Sequence, residues 1–82
     1  MQPDEITKLI HAGFEQADVR VFSEDNTHFE ALVVAAEFDG KRPLTRHQMV
    51  YKTLGTLMGN EIHALSIRAM TPAEYEQASK QD

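Results

Sequence analysis

The sequence predicts a single small α+β domain, ordered helix, strand, strand, helix, strand, helix, with a three-stranded mixed sheet. Three observations carry this expectation. At 82 residues the chain has enough material for one modest core and one domain, expected to span residues 1–82. Its apolar residues recur at helical spacing in some stretches and alternate by twos in others, with no internal repeat, low-complexity tract or interdomain linker. Finally, a helical stretch separates the second and third strands, and such a crossover favours a parallel pair beside an antiparallel hairpin.

Ile6, Leu9, Ile10, Gly13 and Phe14 fall at i, i+3, i+4, i+7 and i+8, so residues from about Pro3 to Glu15 read as an amphipathic helix opened by Pro3-Asp4-Glu5. His11 lies beside this stripe, in the solvated part of the helix. Val19 and Val21 alternate with Arg20 in a short strand, and Ser23-Glu24-Asp25-Asn26-Thr27 forms the polar turn of a hairpin. From His28 to about Glu37 the chain becomes continuously apolar, as a central strand covered on part of both faces does. Phe38 to Leu44 is a turn-rich connection containing Gly40 and Pro43. Thr45, with Gln48 three residues later, reads as the cap of a second helix whose apolar face comprises Val50, Leu54, Leu57 and Met58 with Tyr51. Gly59-Asn60 is expected to end that helix.

The third strand is expected from Ile62 to Met70. Counting by twos puts His63, Leu65, Ile67 and Ala69 on one face and Ala64, Ser66 and Arg68 on the other. Thr71 then reads as an N-cap, Pro72 as the first helical residue and Glu74 as the reciprocal half of a capping box, so strand and helix join almost without a loop. An imidazole in line with core residues requires an explanation. One reading is a strand-end histidine satisfied by a carbonyl or water; the other is a ligand.

Composition narrows the function. Eight Lys plus Arg against thirteen Asp plus Glu give a net charge of −5, which opposes binding to nucleic acid by electrostatics alone. With no cysteine, disulfides, thiol catalysis and a self-contained thiolate metal site are excluded. Met1 to Glu5 lacks the basic start of a signal peptide, and no apolar run approaches the roughly 20 residues that span a bilayer. The expected setting is cytoplasmic, away from membranes.

The string Ile62-His63-Ala64-Leu65-Ser66-Ile67-Arg68-Ala69-Met70-Thr71-Pro72-Ala73-Glu74 resembles the C-terminal signature of the BolA family. Phe38 to Tyr51 is similar to that family's second block, F-x-G-K-x-x-x-x-R-H-x-x-V, so the resemblance runs through the C-terminal half of the chain. The shortness of the chain, Thr27-His28-Phe29 in the hairpin, and T-P-A-E followed by an aromatic resemble the bacterial IbaG-like branch, described as acid-stress or toluene-tolerance proteins. The resemblance implies a class II KH-like fold and a partnership with monothiol glutaredoxins of the CGFS type. It further implies a 2Fe-2S cluster shared with the glutaredoxin, whose cysteine and glutathione supply sulfur while the BolA-like chain supplies histidine. No cofactor is then expected on the isolated chain. Thiolates and imidazoles do share such clusters in Rieske centres.

On this resemblance His63 is the principal iron ligand. His28 is the second candidate because it begins the strand after the hairpin turn; its other reading is a surface histidine beside Phe29. Some family members place a loop ligand a few residues earlier, where this chain has Asp25 and Asn26. His47 reads as local structure or surface charge.

The alternative function is a nucleic-acid-binding transcriptional regulator. Lys41, Arg42, Arg46 and Lys52 form the basic cluster that would carry it, although the Gly40-Lys41-Arg42-Pro43 loop lacks the second glycine of a KH clamp. Such binding is expected to be weak. A homodimer is left open. An enzyme is not expected, since no nucleophile and base stand at recognisable spacing and no glycine loop cradles phosphate.

Overall fold

Proline starts each of the three helices, where its missing N–H costs no hydrogen bond and its ring presets φ. The computed structural model describes residues 1–80. Helix α1 spans Pro3–Ala12, β1 Ala17–Phe22, β2 His28–Ala35, α2 Pro43–Leu54, β3 Ala64–Met70 and α3 Pro72–Ser79. The sheet runs β1-β2-β3, with β1 and β2 antiparallel and β2 and β3 parallel across the α2 crossover, as the sequence predicts.

In α1 only Ile6 and Ile10 are fully buried, while Leu9 at the stripe's margin is 36% exposed. The helix stops at Ala12 rather than running to Glu15, with Gly13 as its C-cap in right-handed backbone. At Gly13 α1 lies so close to α2 that a Cβ there would clash with the Thr53 side chain. Beyond it, Phe14 folds back into the core and meets the Phe38 ring edge-on, centroids 5.3 Å apart.

Strand β2 buries Phe29, Ala31, Val33 and Ala35 on one face and Val34 on the other, which accounts for its continuously apolar sequence. It ends at Ala35, two residues short of the expected limit, because Ala36–Phe38 turn as a 3-10 helix and drop Phe38 into the core. The connection expected to be irregular thus begins with one of the most buried residues in the chain.

Two boundaries of α2 differ from expectation. Its cap is Arg42 in extended backbone with Pro43 at the first helical position, so Thr45 lies inside the first turn and forms no capping box with Gln48. The residue before a proline is held extended, and that steric preference outweighs the better capping chemistry of threonine. The helix also ends at Leu54. Gly55, at φ 55° and ψ −131°, provides a backbone bend that a side chain would oppose, and a 3-10 turn Gly55–Leu57 follows. Val50 and Leu54 are buried as expected; Leu57 and Met58 pack against the core from outside the helix, and Tyr51 is 38% exposed.

Candidate functional site

The segment before β3 determines where His63 lies. Ile62 N–H donates to the Leu57 carbonyl (3.0 Å), and Gly59 N–H donates to the Ile62 carbonyl (2.9 Å). These bonds hold residues 57–62 as a tight loop with the Ile62 side chain fully buried. His63 follows at a bend, exposed and ahead of the first strand residue, Ala64. The expectation that His63 continues the apolar face of β3 is therefore corrected: Leu65 is buried there and Ile67 and Ala69 are partly buried, but Ile62 rather than His63 occupies the core at the strand's foot. Burying the larger apolar surface and leaving the imidazole in water is the favourable choice.

His28 begins β2, and the parallel register pairs it with Ala64. His63 stands one residue before that partner. With neighbouring strands about 4.8 Å apart, His28 at the start of β2 and His63 just before β3 lie at one end of the sheet.

The hairpin turn beside them is built from its own side chains. Ser23 Oγ accepts from Asn26 N–H (2.9 Å) and donates to the His28 carbonyl (2.7 Å), while Asn26 takes the left-handed backbone that asparagine tolerates, φ 57°. Asp25 Oδ1 accepts from the N–H groups of Thr27 and His28, both at 2.9 Å. Its Oδ2 meets His28 Nδ1 at 2.9 Å. The His28 amide first, then its ring and the Thr27 amide, hold the Asp25 carboxyl well below the usual carboxylate range. Despite this contact the His28 side chain remains 69% exposed. An open groove of about 420 Å³ adjoins it, lined by Phe22, Ser23, Asp25, His28, Glu30 and Ser66 among others.

The four basic residues do not form one surface. Arg46 is 12% exposed, and its guanidinium is fully engaged. Nε donates to the Lys41 carbonyl (2.8 Å), Nη1 to the Ala69 carbonyl (3.1 Å), and both terminal nitrogens to the Glu74 carboxylate (2.5 and 3.2 Å). Its Cζ lies 5.9 Å from the centre of the Phe38 ring. Glu74 is in turn the capping-box partner of Thr71, accepting its N–H at 2.9 Å. Arg46 thus joins α2, the end of β3 and the start of α3. Lys41 and Arg42 are exposed just ahead of α2, whereas Lys52 lies six positions beyond Arg46, about 240° round the helix, and borders a different hollow with Phe14 and Met49. By sequence Arg46 reads as part of a charged surface; the Glu74 of the T-P-A-E cap was the signal for its carboxylate partner, which is itself half exposed.

Among the described residues no three or more His, Asp or Glu side chains converge on a metal position. What the chain offers is a pair of exposed imidazoles at one end of the sheet. Imidazole nitrogens are metal ligands when neutral, whereas a chain without cysteine has no thiolate to offer.

The fold and site define a class: a small α+β domain presenting histidine at one sheet end, with no helix among the described residues long and apolar enough to cross a membrane. A family model described as BolA-like protein matches residues 8–74, and the chain belongs to that family. It is 36% identical over 81 residues to the acid stress protein IbaG of Escherichia coli, an alignment covering 98% of this chain and 95% of that protein. To the DNA-binding transcriptional regulator BolA of Vibrio cholerae it is 32% identical over 90 residues, covering 99% and 85%. The solved structure of a BolA homologue from Coxiella burnetii matches with a TM-score of 0.83 and 40% identity, covering 93% of this chain and 97% of that one.

Proposed function

We propose that this chain acts by binding rather than catalysis, as the partner of a monothiol CGFS glutaredoxin, and that His63 supplies imidazole ligation to a 2Fe-2S cluster held between the two proteins. His28 is the second ligand candidate. Sulfur comes from the glutaredoxin cysteine and glutathione. The observation that supports this most is the position of His63: it lies within the family-matched residues, in the signature string, yet its neighbour Ile62 takes the core place and leaves the imidazole exposed at a bend. A histidine in such a string with no packing role fits a ligand better than a structural residue. The absence of cysteine is consistent with sulfur arriving from a partner, and a cytoplasmic, reducing setting belongs to the same reading.

Coexpression with a CGFS glutaredoxin, followed by copurification and a visible spectrum, tests it. His63→Ala should remove the spectral signature specific to the mixed complex and leave the fold intact; His28→Ala should weaken it less. Because a ligating imidazole nitrogen must be free of its proton, mild acid should shorten the cluster's lifetime in the wild-type mixture. An unchanged spectrum and lifetime with His63→Ala would refute the ligand assignment.

A second reading, nucleic-acid binding on a KH-like fold, draws on the V. cholerae relative's name and on exposed Lys41 and Arg42. It is the weaker of the two, because Arg46 is committed to Glu74 and the net charge is −5.

A further inference from the structure

We propose that Asp25 is the positioning residue for His28, holding its ring in the tautomer protonated at Nδ1 so that Nε2 is the bare nitrogen available to iron. This rests on the reading of His28 as a cluster ligand. Three features of the turn carry it. First, the two backbone N–H groups of Thr27 and His28 fix one carboxylate oxygen of Asp25, so the second oxygen is held in place rather than free to rotate away. Second, that oxygen lies 2.9 Å from His28 Nδ1, and an ionised carboxylate can only accept, so the proton of a neutral ring sits on Nδ1. Third, the ring is 69% exposed despite this contact, which leaves Nε2 accessible to another molecule. A carboxylate behind a ligating imidazole is a general device for setting ring orientation and raising donor strength. Here it is supplied from within the ligand's own hairpin turn, at the stretch where the sequence has no loop ligand.

Asp25→Asn separates this role from the turn. Asparagine Oδ1 can still accept from the Thr27 and His28 amides, but the side-chain NH₂ donates where the carboxylate accepted, which favours a bare Nδ1 and moves the proton to Nε2. Long-range proton–nitrogen correlation spectra of the isolated protein at about pH 8, where imidazole is ordinarily neutral, should show Nδ1 protonated in the wild type and Nε2 protonated in Asp25→Asn. The amide spectra should otherwise match. In the mixed complex with a loaded CGFS glutaredoxin, Asp25→Asn should speed cluster loss to a chelator by about tenfold, at the lower end of effects on metal affinity from removing such outer partners. In a His28→Ala background the same substitution should add nothing. A wild-type ring protonated at Nε2, an unchanged tautomer in Asp25→Asn, or an equal loss of cluster in the His28→Ala background would each overturn the proposal. If the wild-type mixture forms no shared cluster while both tautomers are as expected, the cluster reading falls and the control of the ring by Asp25 stands.

Discussion

Ile62 and His63 compete for one place at the foot of β3, and the competition decides which residue packs and which stays available. The alternation of β3 points to the histidine, but the tight loop closed by the Leu57, Gly59 and Ile62 backbone bonds sets the isoleucine inward and ends before the strand begins. Truncating each residue should separate the two roles. Ile62→Ala should destabilise the fold by about 2–5 kcal/mol, as deletion from a filled core does. His63→Ala should stay within about 0.5 kcal/mol of wild type, the usual range for an exposed position. Urea midpoints at matched slope would measure both. A His63→Ala loss as large as that of Ile62→Ala would mean that the imidazole is a packing residue after all.

At the scale of elements, α3 is the least anchored helix: none of its residues is buried, and beyond its packing on β2 and β3 it is tied to the rest by buried Thr71 and the Arg46–Glu74 pair. The Arg46 guanidinium, followed by the Thr71 amide, draws the Glu74 carboxyl from 4.5 down to about 2. A carboxyl lowered on folding contributes stability that is fully present above its unfolded value and is lost as pH falls through the folded one, here between 4.5 and about 2. Glu74→Gln keeps an oxygen for the Thr71 amide and removes the charge. Wild type should therefore be more stable than Glu74→Gln at neutral pH, with the gap closing across that acid window in paired urea titrations. A gap that persists unchanged at the acid end would mean that the charge contributes nothing and only the shape of the side chain matters.

For the whole molecule, the distribution of charge matters more than its sum. With Arg46 sequestered and Lys52 round the helix, the free basic surface ahead of α2 reduces to Lys41 and Arg42, against a net charge of −5. Any binding to nucleic acid should accordingly be weak, fall steeply with salt, and vanish in the Lys41→Ala, Arg42→Ala double variant without loss of stability. Fluorescence anisotropy with a short labelled duplex over a salt series would show this. Tight binding that survives both the double substitution and high salt would reverse the order of the two functional readings.

Periodicity and capping chemistry were enough to establish the element order and the Thr71-Pro72-Glu74 cap, because each depends on residues adjacent in sequence or one helical turn apart, and the element order with its intervening helix then implied the parallel crossover. The candidate histidines were legible for another reason, their place in a recognisable string. Four features depended on packing or on backbone bonds that periodicity does not reveal. Phe38 is core because its turn folds it against Phe14; position 13 is glycine because a side chain there would meet Thr53; His63 is exposed because the preceding loop turns Ile62 inward. Arg46 is a clamp because Glu74, 28 positions away, is brought beside it. A side chain's type and spacing determine which local structure it favours, but whether a charge is solvated or paired depends on what the fold packs beside it, and that is decided only in the tertiary structure.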